Sequence, residues 1–233
     1  MGKSKELAEL GDVFTQTSGR VGVNVPNSSY DFYVKQRGNS YSFGLEADTD
    51  DTRLLMGEFN SQWRIAATYG SNGSFMPFAF YTSDVERVVI DTAGRMTLPY
   101  QPAFQAYADS GGNQHFSGST NPYFSSTVTN TGNHFNGTTF TAPVAGKYLF
   151  SYSILTGTAG DYGLIALHVN GVSPVGSQNW TQCYVNTTND QTVSSTQVLT
   201  LSANDQVNLF LHPNYINFYW SGNYSKFSGY LLG

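Results

Sequence analysis

Residues 135–154 read FNGTTFTAPVAGKYLFSYSI. In the last part of this stretch Tyr148, Phe150, Tyr152 and Ile154 recur at every second position, with Lys147, Leu149, Ser151 and Ser153 between them. A period of two places the four large groups on one side of an extended chain, which predicts a β-strand with an aromatic face. Gly146 marks its start. Pro143 has no N–H to give to a ladder and keeps the preceding turn out of the sheet.

The same pattern continues on both sides of this strand. From Ala103 onward the segments 103–108, 124–129, 134–140, 146–154, 163–169, 181–186, 193–201, 206–211, 215–220 and 226–232 all read as strands, separated by Gly, Asn, Ser and Pro. Eight to ten strands in about 130 residues is the size of a jelly-roll sandwich, so the fold class expected is all-β. Two strands carry apolar groups on both faces. In 226–232, Phe227 and Leu231 point one way and Tyr230 and Leu232 the other; in 206–211, Phe210 opposes Val207, Leu209 and Leu211. A two-layer sandwich covers one face only, and a second copy of the chain is expected to cover the other.

The 233-residue chain is long enough for one large or two small domains. Only 12% of its residues are charged, about half the usual share of roughly 25%, and aromatics reach 15%, so it has too much to bury to be disordered. The net charge is −5 and no basic cluster occurs, which argues against nucleic acid and anionic membranes as partners. Cys183 stands alone, so no internal disulfide forms and stability must come from packing or assembly. No apolar run is long enough for a membrane-spanning helix, and GKSKELAEL after Met1 is too charged for a signal peptide. The six Asn-x-Ser/Thr triplets, beginning at Asn27, Asn72, Asn136, Asn179, Asn186 and Asn223, are expected to mark surface turns.

Charge changes along the chain. Residues 1–100 carry nine Lys/Arg and twelve Asp/Glu, whereas 101–233 carry Lys147, Lys226 and four Asp. Two modules follow, joined at Leu98-Pro99-Tyr100-Gln101-Pro102, where two prolines stiffen the chain. Residues 1–12 form an N-terminal anchor segment, with a short helix possible over 4–10 and Gly11 to stop it. Residues 13–100 form a smaller β-rich attachment or shaft module: Val21, Val23 and Val25 alternate, as do Tyr30, Phe32 and Val34, and Trp63, Ile65, Ala67 and Tyr69. Thr17-Ser18-Gly19-Arg20-Val21 recurs as Thr92-Ala93-Gly94-Arg95-Met96. This is either a true internal repeat or a turn-Gly-Arg-strand device used twice.

At the head module the residues carry a resemblance. Phe124, Asn130, Phe135, Phe140, Gly146, Tyr148, Phe150 and Tyr152 fall in the order of the signature of the complement globular-head domain, one of the tumour-necrosis-factor-like trimeric jelly rolls. Four residues separate Phe135 from Phe140 where that family has six, which implies a shortened loop. Phe227-Ser228-Gly229-Tyr230-Leu231-Leu232 resembles the family's last strand. The likeness covers about 101–233. It implies that Phe140, Tyr148, Phe150 and Tyr152 sit on inner strands, that Gly146 is the turn admitting one of them, and that the chain is a homotrimer. The stretches TSGRVGVNVPNSSYDFYV and VIDTAGRMTLPYQPAF look like segments that precede such heads in bacteriophage tail-fibre and other virion proteins.

Catalytic chemistry has little to stand on. His115, His134, His168 and His212 lack metal-ligand spacing, and neither a nucleophile elbow nor a phosphate loop occurs. His168 ends an apolar run and is expected to be packed. Asp48-Thr49-Asp50-Asp51 is expected to be a solvated turn, because Phe59 stands where a calcium loop needs Glu. Only Asp109, Asp161, Asp190 and Asp205 could serve as carboxylates in the head. No catalytic residue, metal or cofactor is therefore expected. Trp180, Tyr184, Tyr215, Tyr219, Trp220 and Tyr224 lie among Asn, Ser and Gln. Such rings suit a sugar's C–H face, and equally a core or a trimer seam. Trp180, Tyr184, Tyr215, Trp220 and Tyr224 are the candidate ligand contacts. Phe140, Tyr148, Phe150, Tyr152, Phe210, Phe227, Tyr230 and Leu232 are the candidates for seam or inner core. Two functions follow: a virion fibre or spike whose trimeric head binds a host surface glycan or protein, or a capsid decoration or head-fibre protein that stabilises the particle. A secreted recognition module on the host side is a third. In the first two, residues 1–100 hold tail or capsid proteins, and the expected location is the virion, assembled in host cytoplasm.

Overall fold

The computed structural model describes residues 14–17, 20–23, 32–34, 43–46, 51–71, 73–108, 118–157, 161–174, 180–185, 191–213, 217–219 and 224–233. The helix expected over 4–10 lies outside them. All regular structure among the described residues is strand. The chain divides into two compact units, Met1–Pro99 and Tyr100–Gly233.

Among the described residues the first unit holds three small sheets. β1 (Phe14–Thr17), β2 (Arg20–Val23) and β3 (Phe32–Val34) form one, in which β1 and β2 are antiparallel and β2 and β3 parallel. β4 (Phe43–Glu46), β5 (Thr52–Phe59) and β6 (Gln62–Tyr69) form an antiparallel meander. β7 (Phe78–Thr82), β8 (Val85–Ile90) and β9 (Met96–Thr97) form another. Both copies of the Gly-Arg pentapeptide sit where the chain reverses. Thr17 pairs with Arg20 at the end of the β1–β2 hairpin, and the second copy turns β8 into β9. There Gly94 has φ +83°, and the Asp91 carboxylate accepts from the Ala93 and Arg95 amides and from Arg95 Nε. Those donors hold the Asp91 carboxyl below its usual range. The second copy is thus a reversal device; Ser18 and Gly19 of the first lie outside the described residues.

The second unit is a two-layer sandwich. One sheet runs β11 (Ser126–Thr131), β10 (Ala103–Tyr107), β19 (Lys226–Leu231), β13 (Gly146–Gly157), β16 (Gln191–Leu201). β18 (Asn217–Tyr219) continues the β19 side of β13, pairing with 155–157 where β19 pairs with 148–153. The other sheet runs β12 (Thr139–Thr141), β17 (Gln206–Pro213), β14 (Asp161–Val169), β15 (Trp180–Val185). The all-β jelly-roll expectation is borne out. Strand bounds differ from the sequence reading chiefly at 134–140, where only Thr139–Thr141 is strand.

The core is the space between the two layers. Tyr148, Phe150, Tyr152 and Ile154 all point into it, each no more than 2% exposed. Phe104 is its centre: its ring stacks on Phe135 at 4.3 Å and on Phe140 at 5.3 Å and meets Phe227 edge-on at 5.0 Å. Each such pair contributes about 0.5–1.5 kcal/mol beyond burial. The buried tyrosines keep their polar tips satisfied. Tyr148 donates to the Val144 carbonyl at 2.8 Å, and Tyr152 spans the sandwich to the Thr181 hydroxyl at 2.6 Å.

The signature residues now have causes. Asn130 clasps Phe135: its Nδ2 donates to the Phe135 carbonyl and its Oδ1 accepts from the Phe135 amide. The short Phe135–Phe140 connection is a tight turn closed by a Phe135–Phe140 bridge, with Asn136 Oδ1 accepting from the Thr138 and Thr139 amides. A Cβ on Gly146 would come within 2.8 Å of Leu231 and 3.2 Å of the Gly233 carbonyl.

Candidate ligand-binding faces of the head

Each sheet of the sandwich has an outward face set by the odd or even phase of its strands. On the larger sheet the outward residues are mostly hydroxyl-bearing or apolar. Ser151 of β13 sits between Thr196 of β16 and Ser228 of β19 in register, and Thr196 Oγ1 donates to Ser151 Oγ at 3.1 Å. Beside them lies a groove of about 370 Å³ lined by Gln105, Thr129, Leu149, Ser151, Ser228 and Tyr230, over a floor of Ala103, Phe104 and Gly229. Val198, Tyr230 and Leu232 are 43–53% exposed on or beside this sheet.

The smaller sheet presents rings. Outward positions are Leu164, Ala166 and His168 on β14, Asn208, Phe210 and His212 on β17, and Trp180, Gln182 and Tyr184 on β15. None carries a fixed charge. Ala166 pairs with both Phe210 and Trp180, so a methyl group stands between two rings and is itself fully buried. His168 stacks on Phe210 at 4.3 Å and 14°. Phe210 stacks on His212 at 6.3 Å, and Trp180 stands edge-on to Phe210 at 6.4 Å and to His212 at 5.8 Å. The Ser119 hydroxyl meets His212 Nδ1 and steadies that end. At the other end His168 Nε2 is buried without a hydrogen-bond partner. Burial pushes the His168 imidazole below its usual range, because a proton there would add a charge where no acceptor waits.

The candidate contacts divide accordingly. Trp180 belongs to the ring cluster, and Tyr184 follows it on the same outward face, 57% exposed. Tyr224 is 47% exposed in the turn before β19 of the other sheet. Tyr215 and Trp220 lie outside the described residues. Of the seam-or-core candidates, Phe140, Tyr148, Phe150, Tyr152 and Phe227 are buried in the core. Tyr230 and Leu232 are exposed, and Phe210 is part of the outward ring cluster. His168 and His212 were missed as members of the ring cluster around Phe210. Their signal was the outward phase they share with Phe210, which becomes informative only when β14, β15 and β17 are known to be neighbours. His168 is packed, as its apolar run implies, but against a ring on the outer face. The Asp51 carboxylate is occupied by the Arg53 guanidinium and the Ser71 amide; residues 48–50 lie outside the described residues. No group of three His, Cys, Asp or Glu suited to a metal is found among the described residues.

A family model described as C1q domain matches residues 103–232. Among solved structures, the chain is similar to the globular domain of zebrafish complement 1qA protein at 19% identity and a TM-score of 0.45, over 57% of this chain and 98% of that one. It is similar to Eiger TNF from S. frugiperda at 15% identity and 0.46, over 57% and 93%, and to murine APRIL at 12% identity and 0.43, over 57% and 99%. No curated protein sequence matches.

Proposed function

The chain belongs to the C1q domain family through residues 103–232, and from that premise we propose that it is a homotrimeric adhesion protein of a bacteriophage virion. In this reading the larger sheet of the head joins copies, the ring-bearing smaller sheet binds a host surface glycan, and residues 1–100 attach the protein to the particle. The observation that carries it is the division of labour between the two outward faces. One is a grooved sheet with exposed Tyr230, Leu232 and Val198, the surface of an interface between copies. The other gathers Trp180, Phe210, His168 and His212 beside Gln182 and Tyr184 with no fixed charge. Rings beside an amide and a phenol bind a sugar's C–H face and hydroxyls, and a face without charge favours neutral glycans. Attachment to a phage particle is supported by the likeness of residues 17–34 and 89–104 to segments that precede heads in tail fibres. Each site alone is weak, and three per trimer raise avidity.

The test has two arms. Light scattering of the full chain is expected to give three times the 25.5 kDa chain mass; a single-chain mass at micromolar concentration overturns the assembly. On an array of neutral and acidic glycans the chain is expected to retain neutral glycans, with little effect of salt. Trp180→Ala is expected to abolish retention. A trimer that retains no glycan and adsorbs to no bacterial surface leaves the stabilising role, decoration of the capsid, as the function.

A further inference from the structure

The β4–β5–β6 meander has two unlike faces. Register places Phe43 beside Met56 and Met56 beside Ile65, with Leu45 beside Leu54, and Trp63 shares this face opposite Glu58. Phe43, Leu45, Met56, Trp63 and Ile65 are 42–81% exposed. The opposite face carries Arg53 and Arg64, and the Arg64 guanidinium lies over the Phe59 ring at 5.1 Å. On that face Arg53, Leu55, Phe59 and Arg64 are half-buried and Gly57 is buried, so the meander covers its arginine-bearing side and leaves its apolar side exposed. At about 150–250 Å² for a large ring, five side chains at that exposure leave on the order of 500 Å² of apolar surface, as much as the largest patch on an ordinary monomer. A sheet of three strands draws its stability from the packing of its hydrophobic face, and among the described residues this face is left exposed.

We propose that this face, centred on Phe43, Met56 and Ile65, is a seam between copies of the chain, so that the first unit self-associates as the head does. The area decides the occupant. A stable pair of separate proteins needs about 800 Å² from each partner, which this face does not supply. Copies already joined through their heads need far less, because a short linker holds the second contact at millimolar effective concentration. The two units follow one another in the chain at Pro99 and Tyr100, so copies joined through their heads carry their first units tethered to the same assembly. Only Glu58 charges the face, and its carboxylate already accepts from the Ser61 amide at 2.6 Å. Like faces meet without repulsion, and nothing on the face steers a foreign partner. The inference rests on the head being trimeric as proposed above.

Cross-linking of the full chain tests it. In a Cys183→Ala background, Ile65→Cys is treated with a short bis-maleimide, and Thr68→Cys on the opposite face serves as control. The expected result is a two-chain band for position 65 and none for position 68. In the unaltered chain, the part of tryptophan emission lost in Trp63→Phe is expected to be shielded from acrylamide. A three-chain mass with no cross-link at position 65 and a freely quenched Trp63 overturns the seam while the trimeric head stands. Cross-linking at both positions also overturns it, because contact is then unspecific. A single-chain mass overturns the trimeric head and the seam with it.

Discussion

Three residues show how side-chain chemistry sets the limits of the head. His168 is held with Nε2 buried and unpartnered against Phe210. Its folded pKa lies below the unfolded value near 6.5, so the unfolded chain binds the proton more readily. The stability contributed by the neutral ring is complete above about pH 6.5 and is lost as pH falls from there toward the folded pKa. Thermal midpoints are expected to drop between pH 7 and pH 5, and to drop less in His168→Phe; equal slopes in both proteins would remove His168 as the cause. Tyr152 joins the layers through its hydroxyl. Tyr152→Phe leaves the Thr181 hydroxyl without this partner and is expected to cost about 1–2 kcal/mol in urea unfolding with an unchanged slope. Asn130 shows a signature residue acting as a clasp: both ends of its amide are spent on the backbone of Phe135.

At the scale of the element, the strands differ in what can stand on them. Gly229 lies in the middle of β19, and a Cβ there would come within 2.5 Å of Phe104 and 2.8 Å of Phe150. Those rings are fixed by the rest of the core and have nowhere to go. Gly229→Ala is expected to cost about 1–3 kcal/mol by overpacking. Gly171, in the turn after β14, has open space around it but φ +81°. Gly171→Ala is expected to cost about 1 kcal/mol from backbone conformation alone. Chemical denaturation of both variants checks the order, and a larger loss at Gly171 would show that the core yields around Phe104. The same strand logic explains the long β13. Its 12 residues serve β16 along one edge and β19 then β18 along the other. The aromatic alternation ends in Ile154 and Thr156 because the strand continues past the ring cluster, and the buried Thr156 hydroxyl donates to the Gln191 carbonyl.

For the whole molecule, two units with different surface chemistry follow one another, and the matched family region lies within the second. If the head trimerises through its larger sheet, Tyr230→Lys and Leu232→Lys place like charges from several copies at one seam. The double variant is expected to shift the scattering mass from three chains to one while far-UV circular dichroism stays that of a β-protein. An unchanged mass would mean that these two residues face solvent in the assembly. Binding and assembly then separate experimentally, since Trp180→Ala alters the other face.

The sequence by itself determined what depends on period and local conformation. Tyr148, Phe150, Tyr152 and Ile154 declared a strand and its buried side, because alternation is geometry that any extended chain obeys. Gly146 and the Phe124-to-Tyr152 spacing carried the family resemblance, because residue types and their spacing along one stretch of chain are legible without knowing which strands meet. What only the tertiary structure decided is which strands are neighbours. Phe210 read as outward from its phase, yet its role depended on His168 and Trp180, which lie on β14 and β15, tens of residues earlier in the chain, as well as on His212 of its own strand. Period two tells which side of a strand a residue takes; it carries no information about what lies beside it, since that is set by non-local pairing of sheet edges. The bare face of the meander was hidden for the same reason: Trp63, Ile65, Met56 and Phe43 become one surface only once β4, β5 and β6 are in register.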